Sequence, residues 1–191
     1  MNKSVAFTTA PVLVTAYAGL RALDGLDGER GPGPAWTAGH LAFLVALILF
    51  VPVFLELRRL AGRGPFATAT AAIGLVGAVC TMAQISVDLV VGALAADHAA
   101  MRGMFADVQS VPGVSLVVYA VGPVLLFVGL LVMFGRLAVV RAVPVWRTVA
   151  VVLAVLVSLL GLDALPAVGL LLCAGLAPFP GRGTPPATAH S

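Results

Sequence analysis

Charge is scarce in this 191-residue chain: Asp, Glu, Lys and Arg together make up 10% of it, against 61% apolar residues. A soluble domain carries about 25% charged residues, so an aqueous globule is excluded. Lysine occurs once, at Lys3, against ten arginines, and the net charge is +3. The arginines are divided among short loops and form no stripe or patch, so nucleic acid is not an expected partner. The two cysteines, Cys80 and Cys173, lie in separate apolar runs. They offer neither a disulfide framework nor the closely spaced ligands of a zinc site, and both read as small packing residues. Catalytic fingerprints are missing as well. No C-x-x-C, H-E-x-x-H, G-x-S-x-G, Walker or dinucleotide pattern occurs, so the common enzyme classes have no support, and neither a cofactor nor a metal is expected.

Long apolar runs take the place of motifs. Segments near Val5–Leu20, His40–Leu57, Thr68–Ala95, Val114–Phe134 and Thr148–Ala177 each approach the roughly 20 residues that a spanning helix needs. They predict an all-α bundle of five transmembrane helices forming one domain over residues 1–177. The stretch from Pro178 to Ser191 is rich in Pro, Gly, Thr and Ala and is expected to be a disordered tail. The first segment has a second reading. Lys3, a short apolar stretch and Ala16-Tyr17-Ala18 resemble a cleavable secretory signal, which would leave four spans.

Loop charge sets the expected orientation. The second loop carries Arg58, Arg59 and Arg63, and the fourth Arg136, Arg141 and Arg147. The first balances Arg21 and Arg30 against Asp24, Asp27 and Glu29, and the third sets Arg102 against Asp97 and Asp107. Positive loops stay inside, which predicts a multi-pass protein of the cell membrane with a cytoplasmic N-terminus and an extracytoplasmic C-terminus. Trp36 and Trp146 fall at segment ends, where aromatic anchors belong. In the third loop, Met101, Met104, Phe105 and Val108 follow i, i+3, i+4, i+7 spacing, the pattern of a short surface helix, although Gly103 weakens it.

Two acids sit within the apolar runs. A carboxylate in hydrocarbon costs several kcal/mol, so each needs a partner, a cavity, a proton or a break in its helix. On a helical wheel Asp88 shares one face with Thr70, Gly74, Gly77, Ala78, Thr81, Gln84 and Gly92, while Leu75, Val76, Val79, Ala83 and Val90 collect opposite. The small-polar face is expected to turn toward neighbouring helices and the aliphatic face toward lipid. Thr81, Gln84 and Asp88 form a ladder on it, readable either as a structural clamp or as a ligand-binding or proton-accepting site. Asp163 has bulky neighbours instead. Gly161 precedes it and Pro166 follows, which allows two readings: the helix ends there and restarts with Asp163 as N-cap, or Asp163 serves as a functional acid. The pair does not match the Tyr-Asp and Gly-x-Gly-Asp motifs of intramembrane aspartyl proteases, reading Val87-Asp88 and Leu160-Gly161-Leu162-Asp163. Tyr17, Arg21, His40 and Tyr119 lie at similar depth, and with Asp88 and Asp163 they are candidates to line one outward-facing pocket. Glu56, three residues before Arg59, reads as one half of a local ion pair.

Two stretches carry a family resemblance: Phe50-Val51-Pro52-Val53-Phe54-Leu55-Glu56-Leu57-Arg58-Arg59, and the turn Arg141-Ala142-Val143-Pro144-Val145-Trp146. They resemble an uncharacterised family of multi-spanning bacterial membrane proteins, of the kind found in GC-rich actinobacterial genomes. The resemblance implies architecture only, and no activity or functional residue follows from it. The expected role is a non-enzymatic membrane protein acting through the bilayer or a second membrane protein, its oligomeric state open. The alternatives are a small transporter or lipophilic-ligand binder using Asp88, Gln84, Thr81, Tyr119, His40 and Asp163, or a membrane enzyme with Asp88 or Asp163 as acid or base.

Overall fold

The computed structural model describes residues 3–26, 28 and 30–177. The expected tail at Pro178–Ser191 lies outside the described residues, as do Asp27 and Glu29. Among the described residues the chain is all-helical, without strands. Its helices are α1 (Lys3–Asp24), α2 (Pro34–Leu60), α3 (Pro65–Leu94), α4 (His98–Ser110), α5 (Gly122–Val139), α6 (Val145–Ser158) and α7 (Leu165–Leu176). A π-helical segment, Ser115–Val121, leads into α5, and a 3₁₀ turn, Leu162–Ala164, leads into α7. Four helical stretches are long and apolar enough to cross a membrane: Ser4–Asp24, Pro34–Leu60, Pro65–Leu94 and Ser115–Val139.

Proline marks the starts. Pro34, Pro65, Pro123 and Pro166 each occupy the first turn of a helix, where the missing N–H is no loss and the fixed φ favours helix. Asp97 caps α4 by accepting a hydrogen bond from the Ala100 N–H at 2.8 Å. Met101 is buried beneath that helix, with Met104, Phe105 and Val108 half-buried beside it, so α4 is the amphipathic element its spacing suggests.

The last apolar segment departs from expectation. It is not one helix but two short arms. Gly161 adopts φ +108°, a left-handed conformation that ends α6 and that only glycine takes without strain. The chain then folds back, and a methyl group on Gly175, near the end of α7, would touch Val151 at 2.7 Å and the Arg147 carbonyl at 3.3 Å, near the start of α6. The arms are thus antiparallel. At 14 residues and 1.5 Å per residue, α6 is about 21 Å long, short of a hydrocarbon core about 30 Å thick. As a consequence Ala177 lies at the arginine-rich end of the bundle beside Arg147, not at the opposite end as a fifth crossing would require.

The helices form a closed ring in which α1 packs on α2, α2 on α3, α3 on α5, α5 on α6, α6 on α7 and α7 on α1. The contact between α3 and α5 brings backbone against backbone. A methyl group on Gly129 would lie 2.5 Å from the Gly74 Cα, and one on Gly77 would collide with the backbone at Leu125 and Leu126. Such close approach through small residues is the kind of van der Waals packing by which helices associate where water exclusion contributes little. The wheel reading of α3 agrees: Thr70, Gly74, Gly77, Ala78, Thr81 and Asp88 are buried, while Val76, Val79, Ala83 and Val90 are exposed.

Burial is uneven along the ring. At the arginine-rich end Phe7, Phe54, Leu57, Met133, Phe134, Leu137 and Val151 are essentially inaccessible and fill the centre. Glu56 and Arg59 pair locally there, with Arg59 Nε donating to Glu56 Oε2 at 2.8 Å. Both cysteines are free. The opposite half of the ring is not filled, and that is where the polar residues converge.

Candidate functional site

A cavity of about 340 Å³ occupies the unfilled half. Its walls are mostly apolar, from Val14 on α1, Phe43 and Phe50 on α2, Ile85 on α3, Leu126, Phe127 and Leu130 on α5, and Leu165, Val168 and Leu172 on α7. Polar groups enter from Tyr17, Arg21, His40, Thr81, Gln84, Asp88 and Tyr119, and Trp36, Phe105 and Gln109 complete the lining.

Asp88 is the acidic centre of this surface. It is 7% exposed, and its carboxylate has only long contacts: the Tyr119 hydroxyl donates to Oδ1 at 3.5 Å, and His40 Nε2 stands 3.7 Å from Oδ2. No Lys or Arg nitrogen lies within 4 Å of it among the described residues. Tyr119 reaches Asp88 from the π-helical segment. Pro123 lacks an N–H, and its ring would collide with the Tyr119 carbonyl in a regular helix. The chain widens by one residue per turn instead, with the Gly122 N–H bonded to the Val117 carbonyl. π-Helical geometry of this kind is rare and is frequently found at functional sites.

His40 is held from both sides. Its ring lies 4.0 Å from the Trp36 ring and meets the Tyr17 ring edge-on at 5.4 Å, while Tyr17 stacks on Phe43 at 4.7 Å. Nδ1 sits 2.8 Å from the Trp36 carbonyl. A carbonyl only accepts, so Nδ1 carries the hydrogen, and Nε2 of the neutral ring is left as an acceptor facing Asp88. Trp36 packs against α3 beside Asp88. Its Nε1 donates to the Asp88 backbone carbonyl at 3.2 Å, and its indole occupies the space where a Gly92 side chain would stand, 2.5 Å from that position.

Thr81 lines the cavity but returns its hydroxyl hydrogen to the Gly77 carbonyl of its own helix at 2.8 Å. Gln84 lines it too, and its Oε1 is buried without a hydrogen-bond partner. The structure therefore brings together Asp88, Gln84, Thr81, Tyr119 and His40, with Tyr17 and Arg21. Asp163 is not among them, which corrects its place in the expected pocket. It sits in the turn between α6 and α7 with its side chain 84% exposed, and it accepts a 2.8 Å bond from Arg30. Nor does it cap α7, whose first residue follows Ala164 with no side-chain cap. The helix break that Gly161 and Pro166 signal carries Asp163 out of the bundle.

Sequence reasoning missed Trp36 as a site residue, reading it only as an anchor, and missed the walls supplied by α4 and α7. The Gly92 notch opposite Trp36 was the one available signal. No group of three or more His, Cys, Asp or Glu suited to a metal ion occurs among the described residues. Comparison with protein families, curated proteins and solved structures gave no match.

Proposed function

We propose that this is an integral membrane protein that binds a small, mainly apolar molecule with a polar head, within the ring and against Asp88. One observation carries this reading: a cavity of about 340 Å³ with apolar walls, on one side of which Asp88, His40, Gln84 and Tyr119 converge. Ligand sites are concave, largely apolar and fitted with a few placed polar groups, and a buried carboxylate with no strong partner is costly unless something occupies its site. The cavity moves the ligand-binding alternative ahead of a protein acting by surface contacts alone. The enzyme alternative loses one of its two acids, because Asp163 is exposed and paired with Arg30.

In this reading the ring spans the cell membrane with its arginine-bearing turns, Arg58–Arg63 and Arg136–Arg147, on the cytoplasmic side. The α6–α7 hairpin enters from that side and returns to it, so Lys3 and Ala177 are both cytoplasmic and the cavity occupies the outer half.

The test is protein purified without harsh extraction and examined by native mass spectrometry for co-purifying small molecules. Wild type is expected to carry a bound mass that Asp88→Asn and Gln109→Trp, which narrows the outer end, both lose at unchanged folded yield. A bound mass that survives both substitutions contradicts the reading.

A further inference from the structure

Close to Asp88 the cavity presents hydrogen-bond acceptors that receive little, and they define what fits there. Asp88 offers two carboxylate oxygens, of which Oδ1 receives only the long 3.5 Å contact from Tyr119. His40 Nε2 faces Oδ2 at 3.7 Å, and because Nδ1 is committed to the Trp36 carbonyl at 2.8 Å, the neutral ring meets the carboxylate with a lone pair. Gln84 Oε1, one helical turn below Asp88, is buried and unpartnered. Three acceptors thus line one space, and the long Tyr119 contact is the one hydrogen bond they receive among the described residues. Buried acceptors left in this state are costly, and a single group with several N–H donors satisfies all of them.

The surrounding rings suit the same group. Tyr17, Trp36 and Tyr119 share the cavity with the carboxylate, and aromatic faces attract cations, the more strongly where water is excluded. Arg21 also lines the cavity, with its Nε buried and unpartnered, but it makes no ion pair with Asp88 among the described residues, which leaves the carboxylate open to a cation.

Resting on the binding function proposed above, we propose that the ligand is a lipophilic organic cation: an apolar body bearing a protonated amine or amidine whose N–H groups bridge Asp88, His40 Nε2 and Gln84 Oε1. Charge-assisted hydrogen bonds of this kind are roughly twice as strong as neutral ones. The apolar body fills the space toward Phe50 and Leu172, and the head stands beneath Trp36.

Three probes of one shape test this: 1-naphthylmethylammonium, 1-naphthylmethanol and 1-naphthoate, titrated calorimetrically into the full chain in lipid nanodiscs, with empty nanodiscs subtracted. The ammonium is expected to bind at least about ten-fold more tightly than the alcohol, with the carboxylate weakest. Asp88→Asn is expected to bring the ammonium down to the alcohol's affinity, and Gln84→Leu to weaken the ammonium selectively. Equal affinity for ammonium and alcohol, or tighter binding of the carboxylate, overturns the cation assignment while leaving the cavity a binding site. If none of the three binds, the binding function itself falls. The comparison among probes is made on the native protein, so it decides the question even where a variant fails to fold.

Discussion

Replacing Asp88 with asparagine is expected to leave the empty protein as stable as wild type or slightly more stable. The expectation follows from distances. A structural clamp would hold its carboxylate at 2.7–2.9 Å from charged donors, whereas here the two contacts are 3.5 Å and 3.7 Å. What such contacts contribute is small beside the desolvation of a side chain only 10% exposed, a penalty of several kcal/mol per ion. Asparagine removes that penalty, keeps the volume, and supplies N–H donors to His40 Nε2. A gain of up to about 1 kcal/mol is expected, equivalent to a rise of roughly 2–4 °C in melting temperature for a chain of this length. The assay is thermal denaturation of ligand-stripped protein followed by fluorescence-detected size exclusion, with Asp88→Leu alongside. Leucine removes the acceptor of the Tyr119 hydroxyl and sets an apolar side chain against His40 Nε2, and it is expected to lower stability. A fall of more than about 5 °C for Asp88→Asn would refute the reasoning and make Asp88 a clamp.

Further outcomes follow from the packing. Gly77→Ala drives a methyl group into the α5 backbone and is expected to cost about 1–3 kcal/mol or more, seen as lost folded yield; Gly103→Ala, in α4 with nothing within 4 Å, is expected to gain up to about 1 kcal/mol. Gly161→Ala, at φ +108°, is expected to lose about 1–2 kcal/mol, measurable as a lower melting temperature. Arg30→Ala breaks an exposed ion pair and is expected to cost less than about 1 kcal/mol, a shift near the limit of the same assay. In a background lacking Cys80 and Cys173, a membrane-impermeant thiol reagent applied to intact cells is expected to label Leu26→Cys but neither Ala142→Cys nor Ala177→Cys. A single crossing helix at 148–177 would instead expose Ala177→Cys to the reagent.

The parts of this fold legible in the sequence are those where composition differs between two faces. The α3 face was readable because Gly74, Gly77, Thr81 and Asp88 alternate with Val76, Val79 and Val90 at helical spacing, and only one of those faces suits close helix contact. The gathering of Tyr17, Arg21, His40 and Tyr119 with Asp88 was readable from shared depth along their helices. The hairpin was only half legible. Gly161 and Pro166 mark a break, but an apolar chain that continues and one that turns back have the same hydropathy, and what separates them is the contact of Gly175 with Val151. For the same reason Asp163 looked embedded and is exposed. The cavity walls from α4 and α7, such as Phe105 and Leu172, depend on contacts between distant segments that no local pattern reports. Likewise Pro123 is visible in the sequence, while the π turn that delivers Tyr119 to Asp88 emerges only in three dimensions.

The most direct measurement uses the three histidines, His40, His98 and His190, as reporters. With ¹⁵N-histidine labelling in nanodiscs, titration of 1-naphthylmethylammonium is expected to shift the His40 resonances alone, saturably and at one ligand per chain, with no such response in Asp88→Asn. Unchanged His40 resonances at saturating probe, or an equal response in Asp88→Asn, would contradict a ligand seated between His40 and Asp88.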